Sequence, residues 1–355
     1  MRILVTGACG FVGNEIIKGL FASVEGIEIF GVDNLSRSGS ELNREPLKRL
    51  GVKLFHGDLR NFSDLEGLQK VDWIIDAAAN PSVLAGIDGK SSSRQLVDHN
   101  LYSTVNVLEF CRLRQSGLIL LSTSRVYSTK ILSQLNLETE NQGYRLKRDH
   151  PPIAGLSTKG IAENFSTEAP ISLYGATKLA SEILALEYME AFQVPVWLNR
   201  CGVLAGAGQF GRADQGIFSF WIHSYCHNKP LKYIGFGGNG FQVRDCLHPL
   251  DLVPLLSAQM KTNASAAERI HNLGGGIENS CSLAQLSNWC QGRFGQRSIA
   301  EDKTHRPYDV PWIVMDSSRA AQNFDWKPQR GLYKIFDEIA EHARKNLHWF
   351  DLTST

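Results

Sequence analysis

An excess of charge of either sign is missing from this chain. Its 355 residues carry 37 basic and 36 acidic side chains, a formal net charge of +1. So even a balance supplies no broad attraction to nucleic acid or to an anionic membrane surface. No apolar run reaches membrane-spanning length, so no spanning helix is expected. The chain opens directly on a β-rich run without a signal-peptide layout, and a cytoplasmic location is the expectation. Cysteine is scarce and unpatterned: there are seven, with no C-x-x-C and no His/Cys cluster at zinc spacing. The odd count argues against a full disulfide framework; reduced thiols and no bound metal are expected. Long repeats and low-complexity tails are absent too. Apolar residues are plentiful, at 43%, enough for two domains or one large α/β domain with additions.

The first stretch reads strand, glycine-rich turn, helix. Arg2–Thr6 is β-rich, Gly7, Gly10 and Gly13 follow at three-residue intervals, and a helical pattern runs from Asn14 through Leu20. Residues without Cβ permit a tight turn and close approach of a diphosphate to a helix N-terminus. A second strand, Glu28–Asp33, ends in an acid about twenty residues on, where a dinucleotide site places a carboxylate for the ribose hydroxyls. That carboxylate favours NAD over NADP, whereas Arg37 close behind offers a partner for the extra phosphate. Asp58 ends a third strand and suits either an adenine amino group or the cap of the next turn. A fourth strand from Val71 runs into Ala77, Ala78 and Ala79, small enough for a flat ligand to pass close to the backbone. The helical run from Asn100 to Cys111 is largely apolar and offers a surface to bury against a subunit or a sheet. Leu118–Leu121 is a continuous apolar strand, as in a parallel sheet covered on both faces. It leads into Ser122, Thr123, Ser124 and Arg125, at the strand end where open α/β sheets bind ligands.

Tyr174 and Lys178 are four apart on a predicted helix, so both project from one face. Leu179, Ile183 and Leu186 recur at the spacing of an apolar face. A tyrosine pKa of about 10 is too high for base catalysis near neutrality, and a neighbouring ammonium lowers it. The pair reads either as a proton-transfer device or as a surface lysine beside a half-buried tyrosine. Residues 128–170 are polar and long for a structureless connection, which fits a functional loop or lid as well as a variable surface insertion. Val194–Leu204 reads as a further apolar strand, Phe218–Tyr225 as an aromatic helical run, Ile270–Gly275 as a late strand with a glycine turn, and Tyr333–Lys345 as a final amphipathic helix.

Taken together, Thr6-Gly7-x-x-Gly10-x-x-Gly13, Asp33, Asp58, Ala77–Ala79, the hydroxyls ahead of Val126-Tyr127 and Tyr174-x-x-x-Lys178 resemble the extended short-chain dehydrogenase/reductase family. The likeness covers nearly the whole chain. It implies an α/β fold with a Rossmann-type doubly wound parallel sheet and a smaller C-terminal substrate-binding region. The expected division is residues 1–200 for the NAD-binding domain and 201–355 mainly for the nucleotide sugar, with late strands and helices returning to the sheet. By position the resemblance makes Thr123 the hydroxyl partner of the substrate, Tyr174 the acid/base and Lys178 the ribose-binding ammonium. NAD contacts are implied for Gly7, Gly10, Phe11, Val12, Gly13, Asp33, Asn34, Arg37, Asp58, Leu59, Ala77, Ala78, Ala79, Asn100, Tyr174 and Lys178. Substrate contacts are implied for Thr123, Ser124, Arg125, Gln215, Arg244 and Arg306. Arg244 alternatively pairs with Asp245 or Asp251. Pro307 and Tyr308 alter the usual surroundings of Arg306.

Within the family, Ser124-Arg125 replaces the Asp-Glu pair of the 4,6-dehydratases. The segments Asp214-Gln215-Gly216, Gln242-Val243-Arg244-Asp245 and Asn272-Leu273-Gly274-Gly275 look closer to the CDP-paratose 2-epimerases than to the UDP-galactose 4-epimerases. Ser128, in place of a glycine, and Asn80-Pro81-Ser82 depart from the pattern. The implied substrate is a nucleotide sugar, a CDP-sugar above others, and the implied assembly is a homodimer or homotetramer.

Overall fold

The computed structural model describes residues 1–87, 89, 92–212, 215–262 and 268–353. Seven strands form its main sheet: β1 (Arg2–Thr6), β2 (Glu28–Asp33), β3 (Lys53–His56), β4 (Trp73–Asp76), β5 (Gly117–Thr123), β6 (Val196–Cys201) and β7 (Ile270–Leu273). Their order across the sheet is β7-β6-β5-β4-β1-β2-β3. Pairing is parallel from β3 through β5. The sequence order reverses direction beside β1, the switch point at which doubly wound sheets bind dinucleotides. Helices α1 (Phe11–Ser23), α2 (Ser103–Arg114) and α3 (Ser172–Phe192) belong to the same unit. Leu4, Ile74, Leu118, Leu120, Val196 and Leu198 are sealed in its core, with Val107, Leu108, Phe110 and Ala185 from the helices. These strands are apolar on both faces because helices cover both.

The chain divides into two compact units. One comprises residues 1–126, 173–200 and 249–271; the other comprises 127–172, 201–248 and 272–355. The expected boundary at 200 is thus one of several crossings, and the segment 127–172 groups with the second unit. That segment is not structureless. It contains a short helix, Thr129–Ser133, the antiparallel pair Leu137–Glu140 with Gly143–Leu146, and a second small pair, Leu156–Ser157 with Gly160–Ile161. Buried Tyr127 donates to Asn272 Oδ1 at 2.7 Å, and Asn272 Nδ2 donates to the Ile161 carbonyl at 2.7 Å. Polar sequence concealed this order because the segment's elements are held by such contacts rather than by a periodic apolar face.

The second unit is built on a four-stranded sheet of Val203–Leu204, Val243–Leu247, Ser280–Ser282 and Trp312–Ile313. Helix α4 (Ile217–Cys226) and helix α5 (Leu332–Lys345) bury Phe218, Trp221, Ile222, Ile335, Phe336 and Ile339 in its core. The run Val194–Leu204, read as one strand, is broken at Gly202. A Cβ there would stand 2.7 Å from Asp245 Oδ1, so only glycine permits that approach. Among the described residues no helix is long and apolar enough to cross a membrane. The seven cysteines are free thiols, six of them buried.

A pH-dependent weakness is built into this second core. His223 of α4 is buried, with His342 of α5 at 5.5 Å and His227 at 6.0 Å between ring centroids. Burial, then the two neighbouring imidazoles, push its pKa down from 6.5 to about 3. Below pH 6.5 the unfolded imidazole takes up a proton that the folded one refuses, so stability is lost as pH falls from 6.5 towards 3. Wild-type protein should therefore lose about 1 kcal/mol more stability per pH unit in that window than a His223→Leu variant. Urea unfolding of both at several pH values measures the difference; parallel curves would contradict it.

Candidate active site

The turn from β1 into α1 is closed so tightly that side chains have no room. Gly7 adopts φ +60°, and a Cβ on Gly13 would lie 2.3 Å from the Gly7 carbonyl oxygen. Gly10 N donates to that carbonyl at 3.0 Å. Gly10 also caps α1 without a side-chain hydrogen bond, leaving the helix's opening amides uncapped by any side chain of its own. Phe11 is buried behind the loop and Val12 half-buried. Thr6 ties the tips of two strands: its hydroxyl donates to Asp76 Oδ1 at 2.5 Å and accepts from Ala77 N and Ala78 N. The small residues Ala77 and Ala78 therefore stand directly against the glycine turn, with Ala79 exposed beyond them.

Asp33 ends β2 beside this turn. Its carboxylate accepts from Cys9 N at 2.9 Å and Leu35 N at 2.8 Å. Burial nevertheless raises its pKa, against the pull of those donors. Asn34 donates to Asp58 at 3.2 Å, and half-buried Arg37 lies at the following turn. Asp58 is clamped by Arg60, a partner the sequence reading missed, through Nε at 2.9 Å and Nη2 at 2.6 Å. That guanidinium holds the Asp58 carboxyl well below the usual range. Asp58 also accepts from Arg60 N, so it shapes the turn as well as facing outward; Leu59 is buried behind it. Asn100 is buried at a π-helical turn ahead of α2. Its amide accepts from Asn80 N at 2.7 Å and donates to Asn80 O and to Thr177 Oγ1. The side chain thus joins the loop beyond Ala79 to the helix of Tyr174. Such π turns are frequent where a side chain must be re-aimed.

Helix α3 carries Tyr174 and Lys178 on one face, as its spacing predicts, and both are buried, at 7% and 3% exposure. Tyr174 packs with Ala85 and Leu96. The expected apolar face is corrected: Ile183 is 55% exposed and Leu173 is exposed, with Leu179 and Leu186 only half-buried. The buried stripe is instead Tyr174, Thr177, Lys178, Ser181, Glu182 and Ala185. A polar stripe can be buried only if it is hydrogen-bonded. Thr177 donates to the Tyr174 carbonyl at 2.8 Å, and Ser181 reaches Thr104 Oγ1 at 3.2 Å. Glu182 binds Arg200 of β6 and accepts from Ser122 of β5. Sequence pattern assigns no role to Glu182 or Arg200; Ser122, one of the hydroxyls at the strand end where ligands are expected, is instead buried and bonded to Glu182. The signal was there, since Glu182 repeats the four-residue spacing of Tyr174 and Lys178.

Thr123 ends β5, half-buried, and its hydroxyl accepts from Arg125 N at 3.2 Å. Ser124 is buried and Arg125 half-buried. These three residues, Tyr174 and Lys178 all belong to the first unit. Gln215, Arg244 and Arg306 belong to the second. Gln215 exchanges backbone hydrogen bonds with Arg212; Asp214 lies outside the described residues. Arg244 is buried and pairs with Asp309 at 2.6 Å, while also donating to the carbonyls of Val243 and Val310. The ion-pair partner is therefore neither Asp245 nor Asp251. Asp309 is distant in sequence, so spacing held no sign of it. Burial lowers the Arg244 pKa, and the positive charge of Arg306 acts in the same direction.

The chain is similar to known proteins. The profile of the NAD dependent epimerase/dehydratase family matches residues 3–274. CDP-paratose 2-epimerase of Salmonella typhi is 29% identical over 95% of this chain and 98% of its own. UDP-glucuronate 4-epimerase of Thermodesulfobacterium geofontis is 27% identical over 97% of this chain and 96% of its own. The crystal structure of UDP-glucuronic acid 4-epimerase from Bacillus cereus, with UDP-glucuronic acid and NAD, matches with TM-score 0.76 and 24% identity, covering 97% and 99% of the two chains. The chain belongs to the NAD dependent epimerase/dehydratase family. It is an enzyme of that family, with NAD as its cofactor. The glycine turn fits that cofactor, because a Cβ at Gly7 or Gly13 would strike the backbone of Ala77–Ala78 or of Gly7, so only glycines close the turn this tightly at the start of α1.

A methyl group at residue 13 tests the turn. Gly13→Ala forces the loop away from the Gly7 carbonyl, at a cost of about 1–3 kcal/mol. Affinity for NADH should fall about tenfold or more, as read by fluorescence titration. Unchanged affinity would count against the turn as the diphosphate cradle.

Proposed function

We propose that the protein epimerises a nucleotide-linked sugar by transient oxidation to a keto-sugar, and that its substrate is a CDP-sugar altered at C2. The observation that carries the reaction type is the burial of Tyr174 and Lys178 on one helix face, in the same unit as the Thr123 hydroxyl at the end of β5. The CDP-sugar reading rests on the resemblance in Gln242–Asp245 and Asn272–Gly275 and on likeness to the Salmonella enzyme across nearly the whole chain.

Tyr174, as phenolate, takes the proton from the sugar hydroxyl and returns it at the end of the cycle. The Lys178 ammonium one turn away stabilises that phenolate, so the base works near neutral pH. Thr123 holds the reacting hydroxyl, and Ser124 and Arg125 border it. NAD, when bound, supplies a hydride acceptor that gives the hydride back, so no net reduction results. Gly7, Gly10 and Gly13 hold its diphosphate and Asp33 its ribose. Arg306 and Arg244 attract the substrate diphosphate, with Asp309 keeping Arg244 in place. Both faces of a keto-sugar must meet the same ring, so the sugar turns while the nucleotide stays anchored.

The assembly we propose is a dimer or tetramer, resting on apolar side chains left exposed in the single chain, among them Ile183, Leu173, Tyr102 and Leu113.

Purified protein incubated with CDP-, UDP-, GDP- and dTDP-sugars, with products identified by NMR, tests the reading. Inversion at C2 of a CDP-sugar without NADH accumulation is the expected result. Inversion of UDP-sugars at C4 would replace the substrate assignment, and net NADH formation would overturn epimerisation. Tyr174→Phe should lower turnover about a thousandfold while retaining bound NAD. Activity at the wild-type level in that variant would remove the phenol from the reaction.

A further inference from the structure

We propose that Glu182 and Arg200 are positioning residues for the Tyr174–Lys178 pair. Their buried ion pair fixes the height and rotation of helix α3 on the sheet and balances the charge around Lys178. This inference rests on the role assigned to Tyr174 above.

Glu182 stands one helical turn beyond Lys178 and two beyond Tyr174, about 6 Å and 12 Å along the axis. All three side chains belong to the buried stripe. One carboxylate there is held by two adjacent strands. Arg200 of β6 donates through Nε at 3.1 Å and 3.0 Å and through Nη2 at 2.7 Å. Ser122 of β5 donates to Oε1 of the same carboxylate. Ser122 immediately precedes Thr123, so a single anchor refers the helix of the base to the strand of the substrate hydroxyl. A planar fork on a carboxylate fixes rotation as well as distance. Further along α3, Tyr188 donates to Glu109 of α2, which is itself paired with Arg112.

The pair is almost wholly removed from water, with side-chain exposures of 5% and 2%. Apolar residues of equal volume would hold a helix down at least as firmly, because buried ion pairs add little net stability. They would set neither its rotation nor the potential along its buried face. Among the described residues, Lys178 and Glu182 on the helix and Arg200 on β6 carry charge at that stripe. The groups that α2 and its preceding turn present, Asn100 and Thr104, are neutral. On β4, Asp76 is bound to Thr6.

Each half of the pair therefore acts on Tyr174 with opposite sign. Removing the carboxylate takes a negative charge from the buried stripe, which favours the phenolate. Removing the guanidinium takes a positive charge from it, which disfavours the phenolate. Packing alone predicts no such opposition.

The test compares Glu182→Gln, Arg200→Gln and the double variant. Phenol ionisation is followed by tyrosinate absorbance without sugar, each protein being read against the same protein carrying Tyr174→Phe. The midpoint should fall by about one pH unit in Glu182→Gln, rise by about as much in Arg200→Gln and return to the wild-type position in the double variant. All three should lose kcat about tenfold or more, with KM for the sugar near the wild-type value. Midpoints that stay put or move in one direction would overturn the proposal. Should either single variant fail to fold, the double variant decides, since it leaves no charge unpaired; wild-type kcat in it would overturn the proposal. A wild-type protein that epimerises none of the sugars, yet shows the opposed midpoint shifts, would defeat the proposed reaction and leave the positioning role standing.

Discussion

The structure of the first unit depends on a helix buried by its polar side. Helix α3 turns Thr177, Lys178, Ser181 and Glu182 inward and leaves Ile183 and Leu173 outside. Such a face is tolerable only when every group finds a partner, and breaking a buried pair such as Glu182–Arg200 typically costs about 3–5 kcal/mol. The partners come from elements far apart in sequence: Ser122 and Arg200 from neighbouring strands, Asn100 and Thr104 from the turn and helix beside it. An apolar helix could slide or rotate on the sheet at modest cost. A hydrogen-bonded one has a single register, and chemistry that depends on one phenol and one ammonium needs a single register.

The same economy of means recurs at the neighbouring strands β4 and β1. Thr6, a single hydroxyl, closes the gap between β1 and β4 by serving Asp76, Ala77 and Ala78 together. The glycine turn then fits against the small residues without side chains of its own. Asn100 performs a comparable task one layer away, joining the Asn80 loop to Thr177. These two groups hold the backbone beside the glycine turn and the Asn80 loop with neutral hydrogen-bonding atoms.

Much of this was legible because it follows local chemistry. The strand–glycine turn–helix opening, the acid at the end of β2 and the hydroxyls at the end of β5 are written in consecutive residues. The Tyr174–Lys178 spacing is equally local, and the corresponding elements occur where periodicity put them. Local pattern misleads where tertiary environment overrides it. Apolar periodicity puts Leu179, Ile183 and Leu186 on one helical face, yet Ile183 is exposed and the fully buried stripe is largely polar. Residues 128–170 look irregular because their small strand pairs are pinned by side-chain bonds such as that from Asn272 to the Ile161 carbonyl. The strand from Val194 breaks at Gly202 because Asp245 presses against it, and nothing near Gly202 in sequence announces that neighbour.

The sequence by itself determined the class of fold, the site of the dinucleotide turn and the residue types able to move a proton, since each arises from spacing within one or two elements. Tertiary structure alone decided which face of α3 is buried, that Arg244 pairs with Asp309 and that Glu182 is shared between two strands. The physical reason is common to all three. An ion pair or a buried polar contact pays for its desolvation only with a partner at the right distance, and that partner's place is set by the folding of the whole chain.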